Sequence, residues 1–303
     1  MPATTPVLSS EDFPALHRSA NQHSTNAQAT FLFWFKIRLG GLVVAAIGGA
    51  ITWTIHGRAL VGGAVAVVAF AAALAAELVL AVQRPDRVWY EGRAAAESAK
   101  TLTWRYMVCG EPFDNSLADA DTPFLAELKD LLHDLGALPL RALSGDAVQI
   151  SARMREVRGL PLEERRAVYL VQRIQDQQGW YAKKAVFNSK RATRWMVTGV
   201  VLEFLGLIGG AAKAVGLIDV DLLGIFAAAA AAAAAWLQAK QHENLATAYG
   251  VTSQELAAVA SELEKVTDES AWGQFVAEAE EAISREHTLW RASRGLGGHP
   301  RRR

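Results

Sequence analysis

Two long apolar runs separated by three polar residues constrain this chain more than anything else in it. Residues 39–55 read LGGLVVAAIGGAITWTI, residues 59–82 read ALVGGAVAVVAFAAALAAELVLAV, and His56, Gly57 and Arg58 stand between them. As helices the two arms would be about 26 and 36 Å long, against a bilayer hydrocarbon core of about 30 Å. The break is too short for a soluble domain, so the arms must be antiparallel neighbours. A hairpin buried inside a large soluble α-protein is the alternative, and apolar runs of this length argue against it.

A second pair follows. Residues 195–212, WMVTGVVLEFLGLIGGAA, form a third arm, KAVGLIDVD is a break, and residues 219–237 supply a fourth arm dominated by the alanine run 227–235. The third arm needs a return to bring the polar helices after it back to the same side. Cations collect at the outer ends of both hairpins: Lys36, Arg38, Arg84, Arg87 and Arg93 around the first, and Lys183, Lys184, Lys190, Arg191, Arg194 and Lys240 around the second. By the positive-inside rule both ends of each hairpin face the cytosol, and with them the two termini. Phe31, Phe33, Trp34 and Phe35 sit where amphipathic rings would meet the headgroups.

No strand pattern competes. The expected fold is an all-α membrane protein with four transmembrane helices as two hairpins and long cytosolic helices extending from them. The order reads as 1–12 without structure, a first unit 13–115, a helical connector 116–160, a second unit 161–294 and a flexible basic tail 295–303. The helix after the second arm is expected to continue out of it through DRVWYEGRAAAESAKTLTWRYMVC and stop at Gly110-Glu111-Pro112. Asp121-Thr122-Pro123 is expected to start FLAELKDLLHDLG, stopping at Gly136, and DAVQISARMREVR to form another short helix. Thr252 or Ser253 is expected to cap a late helix and Asp268 the last one.

Apolar residues make up 51% and charged residues 20%, which suits spans joined to water-exposed helices. The 31 basic and 31 acidic residues cancel, leaving no basic field for nucleic acid. Cys109 is the single cysteine, so there is no internal disulfide, and it reads as a small residue on a helix. None of the seven histidines stands four residues from another, and HExxH, GxSxG, Walker A and GxGxxG patterns are absent. The chain reads as a non-enzyme with no cofactor and no metal site.

Three sets of residues stand out. Glu77 and Glu203 lie inside apolar arms, where an acid costs about 2.5–3.5 kcal/mol and so tends to face a bundle interior or a wet path. Glu77 is close enough to the cytosolic end to reach headgroup water. Gly41, Ala45 and Gly49 on the first arm, and Gly206 and Gly210 on the third, are small residues at helical spacing that let backbones approach, within one chain or between copies. Tyr90, Arg93, Glu97, Lys100 and Trp104 form one stripe. It is either a salt-bridged packing face or a surface that couples to a partner.

The wording of several segments resembles a known family. ANQHSTNAQATFLFWFKIRLGGLVV and WYEGRAAAESAKTLTWRYMVCGEPF around the first hairpin resemble the SLATT family, the SMODS- and SLOG-associating two-transmembrane effector domains. YLVQRIQDQQGWYAKKAVFNSKRATRW and EAISREHTLWRAS resemble it again in the second half, so Phe13–Arg294 looks like two tandem units. The resemblance implies a bacterial inner-membrane effector of a nucleotide-second-messenger conflict system, acting with a nucleotide-synthase or nucleotide-sensor partner protein and assembling in the bilayer as a homo-oligomer. It carries no catalytic residues. Gln28, Trp89, Tyr90, Arg93, Glu97, Lys100, Trp104, Arg105, Trp180, Tyr181, Glu286 and Trp290 are the shared positions, implied to serve architecture or coupling. The first expectation is therefore a pore-forming or membrane-disrupting effector gated by its cytosolic helices. The second is a membrane-anchored scaffold or sensor whose cytosolic bundle binds a partner, and a transporter comes third.

Overall fold

Helix α1 (Ala15–Ile51) runs through the polar ANQHSTNAQAT segment into the first apolar arm without a break, because no proline or unfavourable glycine pair interrupts it before the apolar run. The computed structural model describes residues 7–51, 59–134 and 147–293, with side chains at 7–50, 61–133 and 147–284. The turn His56-Gly57-Arg58, the stop at Gly136 and the basic tail lie outside the described residues. The helices that follow α1 are α2 (Ala59–Gln83), α3 (Pro85–Met107), α4 (Asp121–Asp134), α5 (Ala152–Arg158), α6 (Leu162–Tyr169), α7 (Asp176–Ala214), α8 (Leu222–Lys240), α9 (His242–Leu263) and α10 (Glu269–Ser293). A six-residue π-helical turn, Leu170–Gln175, joins α6 to α7. Among the described residues there is no strand.

The chain divides into two compact units. The membrane unit comprises residues 28–86 and 184–247, and the water-side unit residues 1–27, 87–183 and 248–303. In the membrane unit the usual distribution of side chains is inverted. Four helical stretches are long and apolar enough to cross a membrane, and the most apolar 18-residue window of each is only 11% buried. Val67, Phe70, Val200, Phe204 and Leu207 all stand outward. Exposed apolar surface on that scale is stable only against lipid or another protein.

Glycines set how closely the arms pack. A Cβ on Gly41 would lie 2.7 Å from the Ala69 carbonyl oxygen, and one on Gly48 would lie 2.8 Å from that of Gly62 and 2.9 Å from Ala66 N. Both contacts are with α2. Gly206 and Gly210 lie against Phe226 and Leu223 of α8. Ala45 is half-buried, and a Cβ on Gly49 would meet open space. Gly41, Gly48, Gly206 and Gly210 therefore lie where the two arms of a hairpin meet, and Gly49 faces outward. Gly48→Ala is expected to destabilise the α1–α2 pair by about 1–3 kcal/mol, since backbone must move. Gly49→Ala is expected to be neutral or to stabilise by about 0.5–1 kcal/mol through helix propensity. Helicity during titration of the detergent-solubilised protein with SDS would separate the two.

Several local expectations are corrected. The second arm does not run on into α3: Arg84 sits between them at φ 43°. Pro85 disfavours helix at the residue before it, and its ring leaves no N–H to continue the ladder. The fourth arm has the same device, with Gln241 at φ 49° between α8 and α9. Each incoming helix is thus continuous and each outgoing helix is broken by one left-handed residue. The fourth helix begins at Leu222, not 219, because the Asp221 carboxylate caps Gly224 N at 3.2 Å. Thr252 and Ser253 cap nothing; both are buried within α9. Asp119, not Asp121, receives the Thr122 N–H at the start of α4. The short connector helix is only α5, capped by Ser151. Asp268 caps α10 through Ala271 N at 2.9 Å. Residues 8–12 are structured: Leu8 N donates to Gln172 Oε1 at 2.8 Å, ahead of a 3-10 turn at Ser10–Asp12. Cys109 is not on a helix but buried in the turn after α3, at φ 59°, and burial pushes its thiol pKa up.

Candidate functional site

The stripe on α3 points into the water-side unit. Its Trp104 joins that unit's core with residues of α1, α6 and α10. Tyr90 and Trp104 are 3% and 2% exposed. Trp104 meets Phe13 and Tyr169 edge-on at ring distances of 6.3 and 5.9 Å. Arg93 and Glu97 pair at 2.7 Å. Tyr90 and Trp104 are therefore packing residues, while Arg93, Glu97 and Lys100 of the same stripe are only partly buried.

Beside it lies a buried ion pair that periodicity could not reveal. Arg173 and Glu280 are 1% and 0% exposed and are joined by two hydrogen bonds, Nε to Oε1 at 2.8 Å and Nη2 to Oε2 at 2.6 Å. The Tyr169 hydroxyl donates to the same Oε1 at 3.0 Å. Burial, with the Glu280 charge, raises the Tyr169 pKa, which keeps it a donor. Arg173 lies in the π turn. The extra residue there rotates the helix locally, and such turns recur where a side chain must be re-aimed. The sequence signal was present only as a polar Gln172-Arg173 inside an otherwise apolar helix face.

Lys100 completes the group. Burial, and next the nearby Arg173 charge, lower its pKa to about 8 from the ordinary 10.5. His17, also lowered chiefly by burial, donates from Nδ1 to the Ala96 carbonyl at 2.8 Å. The sign for Lys100 follows from linkage. Between pH 8 and 10.5 the folded state holds fewer protons than the unfolded one, so this group makes stability rise with pH across that window. Lys100→Met is expected to raise the unfolding midpoint at pH 7 and to flatten that rise. Thermal unfolding of both proteins from pH 7 to 10 checks it.

In the membrane unit the two acids separate. Glu77 of α2 pairs with Arg38 of α1, both part-exposed, so its charge is compensated within the hairpin. Glu203 is exposed on α7 among Val200, Phe204 and Leu207, and it forms no ion pair with the described residues. Among those residues no cluster of His, Cys, Asp or Glu could hold a metal ion.

The arrangement defines an all-α membrane protein in which four spanning helices are joined to a helical unit with an ordinary packed core. A family model described as SMODS and SLOG-associating 2TM effector domain 3 matches residues 14–166, and one described as SMODS and SLOG-associating 2TM effector domain 1 matches residues 169–290. The chain belongs to the SLATT family of two-transmembrane effector domains linked to conflict systems, and carries two of them in tandem. No curated protein and no solved structure matches it significantly.

The two family domains do not coincide with the two compact units. Each supplies one hairpin to the membrane unit and several helices to the water-side unit. Inside the latter they share a core. Trp272 Nε1 donates to the Val108 carbonyl at 2.6 Å, and Arg105 Nη2 donates to that of Ala277 at 2.8 Å. Arg165, 1% exposed, donates to the carbonyls of Val108 and Leu160 and pairs with Glu269. Of the family positions, Trp180 and Tyr181 pack on Tyr249 at ring distances of 5.5 and 5.4 Å. The side chains of Glu286 and Trp290 lie outside the described residues.

Proposed function

We propose that this chain is a pore-forming or membrane-disrupting effector of a bacterial conflict system, working as a homo-oligomer in the inner membrane with both termini in the cytosol. The observation that carries the reading is Glu203. It stands on the outward face of α7 in the middle of an apolar run, without an ion pair among the described residues. A carboxylate facing lipid there would cost about 2.5–3.5 kcal/mol. A second copy, or a water-filled path between copies, removes that cost. Membership of an effector family supports the same reading, and the cations flanking both hairpins support the orientation. The activating partner is a nucleotide-synthase or nucleotide-sensor protein.

The test is conductance of the purified protein in planar bilayers, with growth arrest on induction as the cellular counterpart. A ring of Glu203 side chains would make the pore cation-selective, so Glu203→Gln is expected to abolish that selectivity or the current. An assembled oligomer that stays electrically silent under every trigger would overturn the proposal.

A further inference from the structure

Two lysines from two helices of the membrane unit meet on one tryptophan, and an arginine of a third helix lies near enough to feel their charge. Lys36 Nζ of α1 lies 5.8 Å from the centre of the Trp236 ring, and Lys240 Nζ at the end of α8 lies 5.5 Å from it. Arg191 of α7 is the third, its guanidinium 5.3 Å from the Phe187 ring. Lys36 and Arg191 are near enough to Lys240 for their charges, after burial, to lower its pKa. None of the three pairs with a carboxylate among the described residues, whereas Arg38, two residues from Lys36, has Glu77.

The surroundings are built. Phe35 and Trp195 flank Trp236 at ring distances of 6.3 and 6.2 Å, an aromatic group from the same three helices. One residue past the Gln241 break, His242 Nδ1 donates to Asn188 Oδ1 at 2.7 Å, and Asn188 Nδ2 donates to the Lys184 carbonyl at 2.8 Å. That buried link fixes α9 to α7 beside the cations. Outward apolar side chains flank the cations on both helices, Phe33, Ile37 and Leu42 on α1 and Val186, Phe187, Met196 and Val197 on α7. Lys36 and Lys240 are thus held on one ring with Arg191 close by, at the end of the apolar spans, and no acid among the described residues pairs with any of the three. Cation–π contacts offset only part of their repulsion.

We infer that Lys36, Arg191, Lys240 and Trp236 form a binding site for a phosphate-ester anion, seated where α1 of the first hairpin meets α7 and α8 of the second. A phosphodiester of an acidic lipid has the matching charge and depth, and a soluble phosphate ester has the same chemistry. Occupancy ties the two hairpins together, since no single one of them holds all three cations.

The experiment uses the full chain in nanodiscs of phosphatidylcholine, with phosphatidylglycerol titrated in and the thermal midpoint and lipid retention by native mass spectrometry recorded. A parallel arm adds sn-glycerol-3-phosphate to phosphatidylcholine discs. A saturable rise in midpoint in either arm is the expected result, and the arm that responds identifies the source of the anion. Each cation removed is expected to weaken binding about 5-fold, the equivalent of about 1 kcal/mol. Lys240→Gln alone should therefore show a partial loss and the Lys36→Gln/Arg191→Gln/Lys240→Gln variant a loss of about 100-fold. Lys240→Arg should restore most of the binding. Lys190→Gln/Arg194→Gln, outside the cluster, should bind as the wild type does. No saturable response in either arm, an unaffected Lys240→Gln, or an equal loss in the Lys190/Arg194 control would overturn the inference.

Discussion

Glu280→Ala is expected to destabilise the water-side unit by about 3–5 kcal/mol, the cost of leaving a buried charge without its partner. Arg173 would lose both of its hydrogen bonds to Glu280 and stay charged at 1% exposure, and the Tyr169 hydroxyl would lose its acceptor. Replacing the pair together, as Arg173→Met/Glu280→Leu, removes both charges and is expected to recover most of the loss, because two desolvation penalties vanish with the attraction. Thermal unfolding followed by tryptophan fluorescence distinguishes the cases, since Trp104 and Trp272 lie in the same core. A single replacement no worse than the double would show that the pair is solvated.

Trp272→Ala is the second large effect, also about 3–5 kcal/mol, through the cavity left by a fully buried ring. The ring meets Tyr169 edge-on at 5.8 Å and Phe275 at 6.0 Å, and its N–H reaches the first family domain at the Val108 carbonyl. Trp272→Phe separates packing from hydrogen bonding. It keeps most of the apolar volume and loses one donor, while Val108 O still accepts from Arg165 Nη1 at 3.0 Å. Its cost should be nearer 1 kcal/mol. Limited proteolysis adds a topological check. In Trp272→Ala the segment around Val108 and the α10 region should become cleavable together, because they belong to one core.

The spans were legible because their signal is local. An apolar run of about 20 residues needs no partner to be recognised, and the cations at its ends follow from the same local energetics. The caps at Asp221 and Asp268 lie within a turn of the groups they satisfy, although the first of them was placed in the span and not at its edge. The break at Arg84 could have been foreseen from Pro85, but the matching break at Gln241 has no proline or glycine to announce it. The buried ion pair was out of reach for another reason. Its partners are 107 residues apart, and Arg173 is aimed by a π turn that composition does not encode.

By itself, the sequence determined the all-α class, the four helices long and apolar enough to span a membrane, and the family. Each of these rests on interactions between near neighbours in the chain or on transfer of a contiguous segment into lipid. Only the tertiary structure decided which way the faces turn. It turned Tyr90 and Trp104 of the α3 stripe inward, left Glu203 outward with no ion pair among the described residues, and fused the two tandem family domains into one water-side core. Those outcomes depend on burial shared between helices far apart in sequence. The same periodic stripe suits a core and a surface equally well until its partners, Tyr169, Arg173 and Glu280, are in place.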